Sequence, residues 1–438
     1  MVTVSARNML RGLLLGGQLQ IVLPILQAEQ WLAPLEIHDR QVSRARQILR
    51  NAYSQFGFYR RKLETSGLGG DIIDTSFEWS LVPPLHRSEI SSSLDGQLSA
   101  RAYAWRTTGG STGAPLRIPL DRSAYCWYMA GQWRGLQWWG VDVGDRGAVL
   151  LSSGRLGRIQ ALARLVKDRA LNWLTWPVDD AFDQRADAAL TRIEAFRPAF
   201  IYGYPSALAR LAQHLVRRRS ARGRGPRLIV TSGEHLYGFQ RKLIERAFGS
   251  PVVEEYGCSE VGSIAFQCPE GRLHVAAESV LVEAIGAAEA SDRPGTVLVT
   301  GLRNPLVPLI RYEVGDLAAL GTDPCPCGRG LPTIRVLGRV DDQLSLRGER
   351  VPAQVVIDRL LALVKGSEHL ASARLIQRHP SALVLQIELG DIGRIEVNDV
   401  EDAARQLGYP ITVEATPRLP RTAQGKIRAL EHESGERE

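Results

Sequence analysis

Thr107-Thr108-Gly109-Gly110-Ser111-Thr112-Gly113-Ala114-Pro115 concentrates small hydroxyl residues and glycines in one short run. Glycines let backbone N–H groups turn toward an anion, and the hydroxyls add further donors, so the run is a candidate phosphate loop. It is not a Walker A loop, because Gly113 is followed by Ala114 and Pro115 where that motif needs Lys and Ser or Thr. A polar turn between two strands has the same composition, so the flanking sequence decides. Upstream, the first hundred residues read as a helical leader, with apolar residues at helical spacing from Ile37 to Ser66 and loop residues from Thr65 to Thr75. Downstream, from Arg106 to about Gly338, short apolar strands alternate with helices: Gly147–Leu151, Ala199–Tyr202, Arg227–Thr231 and Val252–Tyr256. That alternation predicts an α/β domain with buried sheets. Gly295–Thr300 and Leu317–Leu320 add a more β-rich portion.

After Gly338-Arg339-Val340-Asp341-Asp342 the pattern starts afresh. Ala353–Val364 and Val400–Leu407 read as helices, and Ala371–Gln377, Ala382–Glu388 and Thr412–Ala415 as strands. The expectation is a large N-terminal domain over 1–340 and a small α+β domain over 341–438.

Composition narrows the function. The chain has 438 residues, 44% of them hydrophobic, which fits a globular protein of two or three domains. The apolar segment Leu13–Leu26 is broken by Gly16, Gly17, Gln18, Gln20 and Pro24, so no membrane span or signal peptide is expected, and a cytoplasmic home is. The net charge of +7 includes Arg217-Arg218-Arg219, but that cluster ends a helical pattern without interleaved aromatics. Nucleic acid is therefore not an expected partner. Five cysteines argue against a disulfide framework, and Cys126 in its apolar run reads as core.

Four further motifs stand in order: Ser232-Gly233-Glu234 after a strand, Tyr256-Gly257-Cys258-Ser259-Glu260, Tyr312-Glu313-Val314-Gly315-Asp316, and Leu419-Pro420-Arg421-Thr422-Ala423-Gln424-Gly425-Lys426-Ile427. Together with the Thr107 run and the Ala52-Tyr53 and Phe58-Tyr59-Arg60 pattern, they resemble the adenylate-forming superfamily. Within it they resemble the phenylacetate–CoA ligase-like branch with its capsule-biosynthesis homologues. The resemblance runs almost end to end. It implies a large nucleotide-binding domain with α/β sheets and a β-rich portion, followed by a small mobile α+β domain, with the hinge at Asp341.

The resemblance also implies roles. Thr107, Thr108, Gly109, Gly110, Ser111, Thr112 and Gly113 would close over the ATP β- and γ-phosphates, with Thr112 among the catalytic residues. Relatives often carry Lys after the last glycine. Here Ala114 stands there, so charge compensation falls to Mg²⁺ and other basic groups. Ser232, Gly233 and Glu234 would border the adenine, as would Glu255, Tyr256, Gly257 and Ser259. Glu260 would hold Mg²⁺, since a hard cation takes carboxylate oxygen. Asp316, an acceptor with two oxygens, would take both ribose hydroxyls, and Arg339 would meet the ribose too. Lys426 would reach between the substrate carboxylate and the α-phosphate, positioning two anions that otherwise repel.

Trp127, Tyr128, Trp133, Tyr204 and Pro205 correspond to acyl-pocket walls of relatives, and their aromatic content favours an aromatic or heteroaromatic acid. Cys325-Pro326-Cys327 with Cys268 and His274 makes a closed set of three thiolates and an imidazole, suited to structural Zn²⁺. Cys258 is the alternative fourth ligand, and reduced buried thiols are the plainer explanation. The expected reaction is activation of a carboxylic acid by ATP through an acyl-adenylate, then transfer to CoA. Transfer to an amine or a carrier-protein thiol is the alternative, and a catalytically silent nucleotide-binding homologue is the non-enzyme one. Homodimers are common in this branch.

Overall fold

The computed structural model describes residues 17–70, 73, 77–93, 101–107, 116–151, 158–179, 181–218, 225–286, 294–346, 349–379, 382–389, 395–422 and 425–432. It divides into two compact units, Met1–Trp139 with Glu255–Val336, and Gly140–Glu254 with Leu337–Glu438.

The first unit opens with helices Leu19–Glu29, Pro34–Gln55 and Gly57–Thr65. Pro34 starts the long helix, where its missing N–H costs nothing, and Ile37, Gln41, Ala45, Ile48, Leu49 and Ala52 form its buried stripe. The single helical run expected over Ile37–Ser66 is interrupted: Phe56 is extended at φ −118° and ψ 112°, its N–H still bonded to Ala52. Buried Phe56 joins the core there, and the second helix starts afresh at Gly57.

Strands Ala104–Thr107 and Arg117–Leu120 pair as an antiparallel hairpin flanking the phosphate-loop candidate. Helix Arg122–Gln137 follows, its first turn capped by Asp121, which accepts the Ala124 N–H at 2.7 Å. The β-rich part runs in the order Val280–Ile285, Gly295–Gly301, Tyr312–Gly321, Thr333–Arg339, Leu273–Val275, Gly262–Gln267 and Val252–Cys258. Its core unites Ile264, Val275, Val297, Val299, Leu309 and Tyr312 with the buried helix stripe.

The second unit carries a parallel sheet ordered Leu228–Ser232, Phe200–Gly203, Gly147–Leu151, Trp173–Pro177. Helices Arg158–Leu171, Ala186–Phe196, Pro205–Arg217 and Gly238–Phe248 alternate with these strands, as the sequence pattern predicts. Its C-terminal part has a four-stranded sheet ordered Ile411–Thr416, Ala382–Leu389, Leu370–His379, Leu430–His432, with helices Ala353–Ala362 and Val397–Gln406. Among the described residues no helix is long and apolar enough to cross a membrane.

Candidate functional site

The strand Val252–Cys258 turns back through Ser259-Glu260-Val261 into Gly262–Gln267. Gly257 is required there: a Cβ on it would meet the Gly262 carbonyl oxygen at 2.3 Å, and Gly262 itself has φ +107°. The tight return sends Tyr256 and Glu260 to two carboxylate-based arrangements. The Tyr256 hydroxyl donates to Asp316 Oδ2 at 2.8 Å, so the aromatic of one motif and the carboxylate of another meet directly.

Glu260 is buried, and its Oε1 accepts from the Arg87 guanidinium at 2.8 Å and the Tyr312 hydroxyl at 2.9 Å. Its Oε2 takes no hydrogen bond from the described residues. Burial, with the neighbouring Glu260 carboxylate next, pushes the Cys258 thiol up to about 12. Burial, aided by the same carboxylate, also raises the Tyr312 phenol, which stays a donor. The residue before Tyr312, Arg311, has a positive φ of 48°. The Arg311 guanidinium grips Glu283 and the Ser80 and Val82 carbonyls. Glu255 is buried and accepts from Gln132 at 3.1 Å.

Thr107 ends its strand exposed, while Thr108, Gly109, Gly110, Ser111, Thr112 and Gly113 lie outside the described residues. Ser259 sits half-buried in the turn. Glu260 shares an open cleft with Trp127, Tyr128, Val261, Ser263, Arg303 and Leu309. Two of the expected acyl-pocket aromatics therefore stand on that cleft. Trp133 does not: its side chain is 1% exposed, on the helix face turned into the core. The helical period separates it from Trp127 and Tyr128.

In the second unit, Ser232-Gly233-Glu234 leaves the strand Leu228–Ser232 with Gly233 at φ +82°. Lys426 comes to this turn. A Cβ built on Gly233 would lie 3.2 Å from the Lys426 Nζ and 3.0 Å from Tyr204, and Nζ stands 5.5 Å from the centre of the Tyr204 ring. The loop bearing Lys426 is anchored by Glu234, whose Oε1 accepts the Ile427 N–H at 2.9 Å and the Ser206 hydroxyl at 3.1 Å, and whose Oε2 accepts the Ser206 N–H at 3.0 Å. Arg421 donates to Ser206 Oγ at 3.0 Å and to the Gly425 carbonyl at 2.9 Å. Thr422 and Lys426 close the turn through backbone bonds, with Gly425 at φ +75°.

Pro205 begins the helix Pro205–Arg217 beside this anchor, whose residue Arg210 pairs with Asp183 and Glu388. Burial, with Arg421 next, brings the Arg210 guanidinium down to about 9. Arg339 ends the strand Thr333–Arg339 exposed, and Asp341 is exposed in the turn Val340–Asp342.

Cys268, His274, Cys325 and Cys327 converge in the first unit, their donor atoms all within 4.8 Å of one another. Cys268 Sγ and Cys325 Sγ are 3.7 Å apart, and Cys327 Sγ is 3.2 Å from His274 Nε2. Thiolates at ~2.3 Å from a tetrahedral Zn²⁺ lie about 3.8 Å apart, which the Cys268–Cys325 separation of 3.7 Å matches. His274 Nδ1 is 3.0 Å from the Leu331 carbonyl, which holds the proton on Nδ1 and leaves Nε2 as the ligand atom. Cys258 is not part of the cluster.

Sequence reasoning did not single out Arg87, Tyr312 or Arg421 as site residues. Arg421 and Tyr312 carried a signal, being inside motifs already quoted. Arg87 reaches the site through long-range packing that no local pattern encodes.

No family model matches the chain. It is 23% identical over 325 residues to protein CapK of Staphylococcus aureus, spanning 70% of this chain and 69% of that protein. It is 24% identical over 373 residues to the phenylacetate-coenzyme A ligase of Escherichia coli K12, spanning 81% and 83%. A 2-hydroxyisobutyryl-CoA ligase solved in its postadenylation state superposes with a TM-score of 0.73 at 20% identity, over 92% of this chain and 91% of that one. In fold the chain is similar to a solved CoA ligase, and in sequence to CapK and to phenylacetate-coenzyme A ligase.

Proposed function

We propose that the protein is an ATP-dependent carboxylate ligase that forms an acyl-adenylate and passes the acyl group to CoA. In the first step a carboxylate oxygen attacks the α-phosphorus and pyrophosphate leaves. In the second the CoA sulfur attacks the acyl carbonyl and AMP leaves. The observation that carries this reading is Lys426: a loop anchored by Glu234 and Arg421 holds its ammonium at the Gly233 turn and the Tyr204 ring. An ammonium fixed there stabilises charge on the transferring phosphoryl group.

Asp316, oriented by Tyr256, accepts the ribose hydroxyls, and the family resemblance assigns Arg339 to the ribose as well. Thr107, Thr108, Gly109, Gly110, Ser111, Thr112 and Gly113 cradle the outer phosphates, and Ser232, Gly233, Glu255, Gly257 and Ser259 border the base. Mg²⁺ fits Glu260, whose Oε2 takes no hydrogen bond among the described residues while Arg87 and Tyr312 fix Oε1. The metal supplies charge neutralisation for the phosphates, and the residues supply its carboxylate anchor. Zn²⁺ fits the Cys268, His274, Cys325 and Cys327 set, where it supplies a structural cross-link. Asp341 serves as hinge for the segment 341–438 between the two half-reactions, and Trp127 and Tyr128 favour an aromatic acid. The relatives' activities support the choice of CoA as acceptor.

The test is Lys426→Ala assayed on each half-reaction. Acyl-adenylate formation should fall by roughly 10²–10³-fold, as for loss of a charge-stabilising donor. Transfer from preformed acyl-adenylate should persist. Equal loss of both steps would contradict the assignment.

A further inference from the structure

Arg303 follows the strand Gly295–Gly301 and lines the cleft that contains Glu260. Its guanidinium carbon stands 3.3 Å from the centre of the Trp127 ring. Of the five N–H donors a guanidinium offers, only Nε is engaged among the described residues, by the Glu278 carbonyl at 2.8 Å. Nη2 is buried with no hydrogen-bond partner among them. The Glu278 carboxylate pairs with Arg134 through Oε1, in a pair whose side chains are 4% and 3% exposed, while its Oε2 is buried with no hydrogen-bond partner among the described residues. Burial, with Arg44 adding like charge, brings Arg303 down to about 9.

The surroundings repeat the pattern. The Ser279 hydroxyl, on the same cleft, is also buried without a partner among the described residues, as is Asn304 Oδ1, which is an acceptor only. Glu29 and Glu278 offset part of the Arg303 charge, but a desolvated guanidinium with an unbonded N–H edge is costly, and buried polar groups almost always find partners. Such a cluster on an open cleft marks the place where a ligand completes the bonding. The rest of the lining, Trp127, Val261, Val307 and Leu309, offers an apolar wall. One end of the cleft thus takes a hydrocarbon or aromatic body, and the other calls for an anion.

We propose that this cleft selects carboxylic acids bearing a second carboxylate, and that Arg303 is the residue that recognises it. The free N–H edge of Arg303 and the Ser279 hydroxyl donate to that carboxylate, while Trp127 holds the guanidinium in position. The proposal rests on the ligase reading above, to which it adds the substrate class. A nucleotide phosphate has the same charge, so the test must separate the two anions.

The experiment is calorimetric titration of the full chain with three pairs of acids, each diacid beside its monoacid: terephthalate with benzoate, 4-carboxyphenylacetate with phenylacetate, and glutarate with butyrate. ATP is titrated in parallel. Wild-type protein should bind at least one diacid roughly 10–100-fold more tightly than its monoacid, as a charge-assisted bond implies. Arg303→Met, which keeps the stem on Trp127, should erase that ratio and leave the ATP affinity unchanged. Arg303→Lys should retain part of it, which separates loss of charge from loss of fold. No diacid preference in any pair, or a variant that weakens ATP instead of the diacid, would overturn the proposal. A diacid that binds as expected yet supports no ATP–pyrophosphate exchange would sink the ligase reading and leave the recognition role standing.

Discussion

Glu234→Gln should release the segment that carries Lys426, although it leaves side-chain length and volume almost unchanged. The carboxylate accepts two backbone N–H groups on opposite oxygens, Ile427 on Oε1 and Ser206 on Oε2, and also the Ser206 hydroxyl. A hydroxyl can rotate away, but the two backbone donors cannot. An amide offers one acceptor oxygen, so in either orientation the substituted side chain aims its NH₂ at a backbone N–H. At least one charge-assisted bond is lost, about 1.5–3 kcal/mol, which shifts the opening equilibrium of the loop by roughly 10–150-fold.

Hydrogen exchange read by mass spectrometry over 419–430 measures this directly, because local opening controls amide exchange. The Ile427 amide should exchange faster by that factor. The Leu375 amide, bonded to the Ala429 carbonyl at 2.8 Å in the adjoining sheet, should keep its protection. Unchanged exchange at Ile427 would refute the anchoring role, and equal loss across both positions would mean general unfolding.

Three further outcomes are expected. Arg311→Ala leaves Glu283, 17% exposed, without its guanidinium and frees two carbonyls, so chemical denaturation should report a loss of ~3–5 kcal/mol. Arg210→Ala strands Glu388, 3% exposed, with the Leu419 N–H as a remaining donor, and should destabilise by a similar ~3–5 kcal/mol. The double variant Arg210→Met/Glu388→Met should recover much of that loss. Cys325→Ser should lower zinc content, measured by plasma emission on purified protein, together with the thermal midpoint. Native protein free of zinc, or a variant with unchanged midpoint, would count against the metal.

Much of this architecture was legible in the chain. The parallel strands announced themselves as short apolar runs between helices, and the C-terminal α+β segment by its renewed alternation. Some boundaries shifted by a residue or two, as from Ala371–Gln377 to Leu370–His379, while the strand expected over Leu317–Leu320 begins already at Tyr312 and the helix expected from Val400 at Val397. The break at Phe56 was missed because helical periodicity continues across it. Only the burial of the Phe56 ring in the core explains why the backbone turns there.

At the site, Glu260, Asp316, Tyr256 and Lys426 were singled out by the resemblance of their motifs to a known family. The thiol and imidazole cluster was readable too, because few other roles need three cysteines and a histidine together. What composition could not convey was who holds these groups. Arg87 reaches Glu260 across 173 residues, and Glu234 binds a backbone amide 193 residues away. Trp133 shows the converse, since an aromatic near a pocket in sequence faces the core when the helix turns it inward.

Carboxylate-dependent ATP–pyrophosphate exchange over aryl, heteroaryl, aliphatic and dicarboxylic acids is the decisive assay of the ligase assignment. Exchange should require one class of acid and disappear with Lys426→Ala. ATP binding with no exchange for any acid in the set would contradict it.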